Sequence, residues 1–419
     1  VGSAVAPGHV VVVGAGIVGL STAWYLQERG TRVTVVDRAG VASGSSWGNA
    51  GWLTPALTLP LGEPSVLAYG LKAMLDPSSP LYIPFSANPS LLRFLAGFAR
   101  HCTPAKWREA MAVFAEVNGA GLAAFDEIAE GAGAVAERST VADPFLAGFA
   151  SLKDRDALVH EFDGIRKAGG EVDYDLISGQ EIRALEATLG TGVVAGIQIR
   201  GQRFINPPSF MESLAAAVTA RGADIIGAFN VVGIRDAGTR VEVVGSEGRS
   251  LVADSVVVAT GAWLGRLARA FGVRRVVQAG RGYSFTVVPE AMPTHPIYFP
   301  AERVACTPLG DRLRVAGMME FRDADAPLDP RRIKAIIDAA APMLTGIDWG
   351  YRAEEWVGAR PCTTDGLPLI GATRSPRVHV AGGHGMWGVA LGPLTGKMVA
   401  ATLAGETPPA LMRHFNPLR

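Results

Sequence analysis

Two glycine runs have the residue types and spacing of a phosphate cradle. Gly14-Ala15-Gly16-Ile17-Val18-Gly19 spells G-x-G-x-x-G, and Gly383-His384-Gly385-Met386-Trp387-Gly388 spells it again. In a dinucleotide fingerprint the glycines permit a tight turn and close backbone approach. The helix N-terminus then receives a pyrophosphate, and an acid ending the next strand takes ribose hydroxyls. The first copy has that whole context: the β-branched run His9–Val13, helical apolar spacing over 17–28, a stop at Gly30, and Arg32–Val36 leading into Asp37. It predicts a βαβ unit that binds a dinucleotide, without separating NAD from FAD. The second copy follows a strand at 377–380 and opens a helix over 389–403. What comes next is "AGETPPALMRHFNPLR", with prolines and no strand to carry Glu406 to a ribose. The second match is therefore read as no dinucleotide site. Its helix start, rich in free N–H groups, suits instead an electron-rich edge such as a flavin's N1/C2 carbonyl region, which gains negative charge on reduction.

The elements that must position these residues follow from pattern. At 419 residues the chain has room for roughly two to three domains. Between the glycine runs lie a Ser/Gly-rich loop ("GVASGSSWGNAGWLTP"), a Pro-punctuated and then helical stretch over 60–130, and mixed short strands and turns over 170–206. A helix in "PPSFMESLAAAVTARGA" starts on prolines. Several short strands then end in the buried-type run at 255–259. "VVQAGRGYSFTVV", "VACTPL" and "RLRVAGMMEF" alternate like an antiparallel sheet, and a helix follows in "DPRRIKAIIDAAAPML". The pieces predict a mixed α/β and α+β protein. A discontinuous Rossmann-type domain (8–60, 200–265 and 355–419) is interrupted by a substrate domain (61–199 and 266–354) built on an antiparallel sheet plus helices.

Composition excludes other classes. The 39 basic and 39 acidic residues balance with no basic stripe, which argues against nucleic acid as a partner. Cys102, Cys306 and Cys362 are odd in number and far apart, which fits neither a disulfide framework nor a metal pair and suits a reducing compartment. No export signal is read in "VGSAVAPGHV" and no membrane-spanning run elsewhere. The expectation is cytoplasmic, with at most peripheral membrane contact through the helices of 60–130.

The motifs together resemble one family. G-A-G-I-V-G, the "SSWGNAGW" loop, "VVVATGAW" and "WVGARPCTTDGLPLIGATRSPRVHVAGGHGMWGVALGPLTGKMVA" occur in the order seen in FAD-dependent amine oxidoreductases of the D-amino-acid oxidase superfamily. The likeness is greatest to bacterial D-amino-acid dehydrogenases, which share the N-A-G loop, Gly282-Tyr283-Ser284, the strand from Arg314 to Glu320, and G-x-R-P-x-T-x-D-G-x-P from Gly358 to Pro368. Glycine and sarcosine oxidases are close relatives. The resemblance implies non-covalent FAD. Gly14, Gly16, Ile17, Val18 and Gly19 would hold the pyrophosphate, with Asp37 on the adenosine ribose, Arg38 beside it and Val231 at the adenine. Thr260 and Gly261 would close the diphosphate side. Ser45, Ser46, Asn49, Ala50, Gly51 and Trp52 would line the ribityl and ring system, and His384, Gly385, Met386, Trp387, Gly388 and Val389 would cap the pyrimidine edge.

The implied reaction oxidises a Cα–N bond by hydride transfer to flavin N5, giving an imine and then a 2-oxo acid with ammonia or an amine. Arg360 aligns with the family's carboxylate-binding arginine, a role for which a planar guanidinium is suited. Tyr283 is the second choice, as a phenol over the carboxylate or amine. No acid–base residue is required, and His384 is read as part of the flavin cap. Ala305 stands where glycine oxidases place a substrate tyrosine, which leaves a roomier pocket. Cys362 does not match the spacing of a flavin-linked cysteine. The electron acceptor is O2 or a quinone-type carrier. The rivals are a glycine-oxidase-like enzyme acting on an N-substituted glycine, a nicotinamide-driven flavin hydroxylase, and a non-catalytic flavoprotein.

Overall fold

The computed structural model describes residues 7–64, 79–84, 88–131 and 133–419. Part of the stretch read as Pro-punctuated and helical, 65–78 and 85–87, lies outside the described residues.

The N-terminal βαβ unit forms as its pattern predicts. Strand His9–Val13, helix Ile17–Gln27 and strand Arg32–Val36 belong to a six-stranded sheet. Its order is Asp224–Ile226, Arg32–Val36, His9–Val13, Ser255–Val258, Val378–Gly382, Leu369–Ala372. All neighbours are parallel except the last pair. The central strands are valine-rich because both faces are covered. Val10, Val12 and Val257 pack under helices on one side. Val11, Val13, Val256 and Val258 pack on the other against an antiparallel sheet of Val231–Asp236, Val241–Gly245 and Ser250–Ala253. Strand order reverses where His9–Val13 meets Ser255–Val258, and open α/β sheets bind ligands beyond the strand ends at such a point.

The second layer is a nine-stranded mixed sheet. It runs from Ala353–Thr363 through Val277–Val287, Arg312–Phe321, Val304–Leu309 and Ile297–Phe299 to Phe145–Phe149, Ala195–Ile199 and Tyr174–Ser178, with Leu81–Tyr82 pairing off that path. The strands read from "VACTPL" and "RLRVAGMMEF" lie at those residues. Ala353–Thr363 differs from expectation. Its residues were assigned from 355 onward to the dinucleotide domain, yet it is an eleven-residue edge strand of the wide sheet. An edge position accepts Pro361, which removes a ladder donor. Helices Leu152–Lys167 and Gly179–Leu185 were not read from the sequence; each begins on a serine whose hydroxyl accepts an amide of the first turn.

Helix Gly388–Leu403 packs along Ile17–Gln27 at backbone distance. A Cβ on Gly396 would lie 2.6 Å from the Ser21 carbonyl carbon and the Thr22 nitrogen. Alanine gains about 1 kcal/mol of helix propensity. Here it would meet main chain that cannot rotate away, so overpacking of about 1–3 kcal/mol wins. Gly396→Ala is therefore expected to lower the denaturant midpoint; an unchanged or raised midpoint would show that the helices separate freely.

Candidate active site

A cavity of about 430 Å3 opens at the switch point of the parallel sheet and extends between it and the wide sheet. Its floor is glycine for steric reasons. Gly14 has φ +114°, and a Cβ there would lie 2.4 Å from the Ala259 carbonyl oxygen. A Cβ on Gly19 would lie 1.9 Å from the Gly14 oxygen, so that residue sets helix–strand packing rather than lining the cavity. The start of helix Ile17–Gln27 lacks a local side-chain cap; the Ile17 N–H donates to Ser46 Oγ at 3.0 Å, across twenty-nine positions of chain. Asp37 lines the cavity while its carboxylate organises the loop beside it, accepting from the Ala15, Ala39 and Gly40 amides at 2.9, 2.9 and 3.0 Å. Thr260 also lines the cavity, and its buried hydroxyl has no hydrogen-bond partner among the described residues.

At the other end the second glycine run turns through Gly383 and Gly385, both at positive φ, into a 3-10 turn and then the uncapped start of helix Gly388–Leu403. His384, Gly385, Met386, Gly388 and Val389 line the cavity. The His384 ring is buried, with Nε2 2.9 Å from Thr395 Oγ1. Burial lowers its pKa to about 4, so the imidazole is neutral near pH 7.

Strand alternation brings Arg360 to the same space. Trp356, Gly358 and Arg360 occupy every second position of Ala353–Thr363 and share one face. Trp356 lies over Gly358 and Gly48, where Cβ atoms would come within 2.0 and 2.2 Å of its ring. The Arg360 guanidinium extends over Gly282, where a Cβ would lie 2.1 Å from Nη2. Nη1 donates to the Met318 carbonyl at 2.7 Å, and Met318 itself has φ +65°. Burial lowers the arginine's pKa, and among the described residues no carboxylate pairs with it.

Comparison with known proteins accounts for this arrangement. The family described as DAO, FAD dependent oxidoreductase, matches residues 9–402. The chain belongs to that family. It is 30% identical to a D-amino acid dehydrogenase of Cereibacter sphaeroides over 96% of this chain and 92% of the relative. Its fold is similar to that of glycine oxidase from Bacillus cereus (TM-score 0.71, 20% identity, 97% of each chain). It is also similar in fold to iminodiacetate oxidase from Chelativorans sp. (TM-score 0.67, 19% identity, 97% of this chain and 98% of the other). It is thus an FAD-dependent oxidoreductase with mixed α/β sheets and helices, as the motifs implied. The residues present fit FAD. Glycine at 14 and 16 keeps the phosphate side open, the start of helix Ile17–Gln27 has no local side-chain cap, the Thr260 hydroxyl beside the cleft has no partner among the described residues, and Gly388 and Val389 begin a second helix on it.

Of the expected cofactor residues of this oxidoreductase, Gly14, Gly16, Ile17, Val18, Asp37, Arg38, Ser45, Ser46, Asn49, Val231, Thr260 and Gly261 line the cavity along with His384, Gly385, Met386, Gly388 and Val389 of the second glycine run. Others do not. Asn49 lines it, but its amide group holds its own loop, donating to the Ser45 and Ser46 carbonyls and accepting from the Gly51 N–H. Ala50, Gly51, Trp52 and Trp387 are outside the lining. Ala50 accepts from Thr307, Trp52 donates to Thr307 and packs edge-on to Phe145 and Tyr298, and Trp387 donates to the Leu59 carbonyl.

Tyr283, expected at the substrate, lies outside the cavity lining. It is on the opposite face of its strand from Gly282, fully buried, and its hydroxyl donates to Glu320 at 2.6 Å. Burial, reinforced by that carboxylate, raises its pKa above the usual phenol value. Lining residues missed from the sequence include Trp356, Phe229, Asn230, Trp263 and Arg266. The i, i+2, i+4 pattern Trp-x-Gly-x-Arg would have exposed the first, had the segment been read as a strand.

Tyr283→Phe is therefore expected to cost about 1.5–3 kcal/mol of stability, from loss of a buried bond to a carboxylate. The substrate concentration for half-maximal flavin reduction should stay as in the parent; a large rise would return the phenol to the substrate. Acid stability tests burial. His379 is also buried, with its pKa lowered by burial to about 4 from 6.5. Between those pH values the unfolded chain holds protons that the folded chain does not, so stability falls as pH drops. His379→Phe should spare about 1.5 kcal/mol of the loss between pH 6.5 and 5, read from denaturant midpoints; parallel profiles would show a hydrated imidazole.

Proposed function

We propose that this oxidoreductase oxidises an α-amino acid at its Cα–N bond, in the manner of a D-amino-acid dehydrogenase, releasing the 2-oxo acid and ammonia. The observation that carries this reading is the Arg360 guanidinium, drawn over Gly282 onto the cavity and held by one carbonyl. Isolating a charge from water costs several kcal/mol unless it is paired. A substrate carboxylate supplies that partner, and the planar fork orients it by two parallel hydrogen bonds. FAD, when bound, takes up the electron pair and hydrogen lost from Cα.

The remaining residues support orientation and exclusion of water rather than proton transfer. His384 is neutral and turned toward Thr395, and the Tyr283 hydroxyl is held by Glu320. The amine therefore sheds its proton before oxidation, and the imine is hydrolysed by water afterwards. Ser284, Ala316, Ala305 and Tyr298 pair in register across neighbouring strands.

Anaerobic mixing with D-amino acids, L-amino acids and N-carboxymethyl amines, followed by flavin absorbance, tests the reading. Bleaching by D-amino acids supports it. Bleaching by secondary amines alone moves the enzyme to the glycine-oxidase-like branch, and bleaching by NADPH alone removes the amine assignment. Arg360→Gln should raise the half-saturating amino acid concentration about thirtyfold or more while the flavin stays bound; an unchanged value would take the carboxylate away from Arg360.

A further inference from the structure

The adenosine end of the cavity is crossed by a contact from the other layer. Arg38, Trp263 and Arg266 line the cavity together with Asp37 and Val231. They come from three places: the end of the second strand, the 3-10 turn Gly261–Trp263, and helix Leu264–Ala268. One carboxylate gathers them. Asp325 Oδ1 accepts from Arg38 Nη2 at 3.1 Å and from Trp263 Nε1 at 3.0 Å, and Oδ2 accepts from Arg266 Nη2 at 2.8 Å. The Arg38 guanidinium lies 3.9 Å from the Trp263 ring centroid, so stacking and ion pairing hold it together.

Asp325 belongs to the segment joining strand Arg312–Phe321 to helix Pro330–Ala340, which is part of the wide-sheet layer. That segment is anchored. The next two residues, Ala326 and Pro327, present their carbonyls to Arg281 Nη2 at 2.8 and 2.7 Å. Arg281 is buried and paired with Glu320 at 3.2 Å, the same carboxylate that accepts from Tyr283. The Asp325 N–H also donates to Asp323 at 2.9 Å. A single exposed ion pair holds little, because water and salt compete and two long side chains must be ordered. Here one short, anchored side chain receives three charge-assisted hydrogen bonds, two of them from guanidinium cations, so its ordering is shared. Burial pushes the Asp325 carboxyl up, and the bonds from Arg266, Trp263 and Arg38 outweigh it, leaving the pKa below the usual carboxylate value.

We propose that Asp325 is a latch between the two layers, fixing Arg38 and Arg266 at the adenosine end of the cleft and thereby slowing the entry and release of FAD. The latch is a positioning contact, since Asp325 is not among the cavity-lining residues. The constraint does not depend on which amino acid is oxidised, only on the family's FAD dependence.

The test measures FAD release from the holoenzyme, by the fluorescence gained as flavin leaves the protein, for the parent chain, Asp325→Asn and Asp325→Ala. Loss of three cooperating contacts should speed release about tenfold in Asp325→Ala, with Asp325→Asn between it and the parent because the amide keeps one acceptor. Added salt should hasten release from the parent and narrow the gap to Asp325→Ala. Arg38→Ala and Asp325→Ala combined should release FAD little faster than the faster single variant, since both open the same contact. Thermal unfolding of the apoproteins separates this from general damage. Release within twofold of the parent in Asp325→Ala, or faster release with an equally lowered apoprotein midpoint and additive effects with Arg38→Ala, would overturn the latch.

Discussion

The structure depends on a place where no side chain is admitted. At the switch point of the parallel sheet, the turn after His9–Val13 lies against the end of Ser255–Val258 so closely that a methyl group on Gly14 would meet the Ala259 carbonyl. Helix Ile17–Gln27 is drawn onto the same spot, since a methyl on Gly19 would meet Gly14. This double approach sets the helix start at the edge of the cleft, the position where dinucleotide folds receive a pyrophosphate. Everything else on the cofactor side is arranged around it, including the distant Ser46 hydroxyl, which takes one of those amides and so carries the loop after Asp37 across the opening.

The wide sheet answers with the same device at the substrate end. Gly48, Gly358 and Gly282 are empty positions into which Trp356 and the Arg360 guanidinium fit. Because residues alternate along a strand, the face that bears these glycines is turned to the cofactor and the face that bears Arg281 and Tyr283 is turned to the core. The two faces then divide the charges. Arg281, Glu320 and Tyr283 satisfy one another in the interior. Arg360, two strands away from Glu320 and on the opposite face, has no such carboxylate among the described residues.

Much of this was legible in advance, for reasons that separate local from long-range information. The βαβ opening could be read because its signals, a valine run, fingerprint glycines, helical spacing and a terminal aspartate, are contiguous. The second glycine run could be told from the first because the strand it needs afterwards is absent. Ala353–Thr363 was harder. Two adjacent glutamates, Gly358 and Pro361 weaken the strand pattern, and only pairing with Val277–Val287 reveals it as an edge of the wide sheet. The placement of Tyr283 away from the cavity was hidden for a related reason. Gly-Tyr-Ser identifies the strand but not which face each residue takes, and the glycine, rather than the tyrosine, faces the reactive end.

The same distinction explains why a cofactor cleft is easier to read from sequence than a substrate pocket. Phosphate recognition uses backbone amides, whose placement follows from where side chains must be missing, and missing side chains are visible as glycine. Substrate recognition uses a side chain whose direction depends on strand register, on the positive φ of Met318 and on the space above Gly282, none of which is local to Arg360. The Arg360 guanidinium is half-buried on that cleft with no protein carboxylate beside it among the described residues, whereas the fully buried Arg281 is paired with Glu320. On the function proposed above, the other half of that ion pair is the substrate carboxylate.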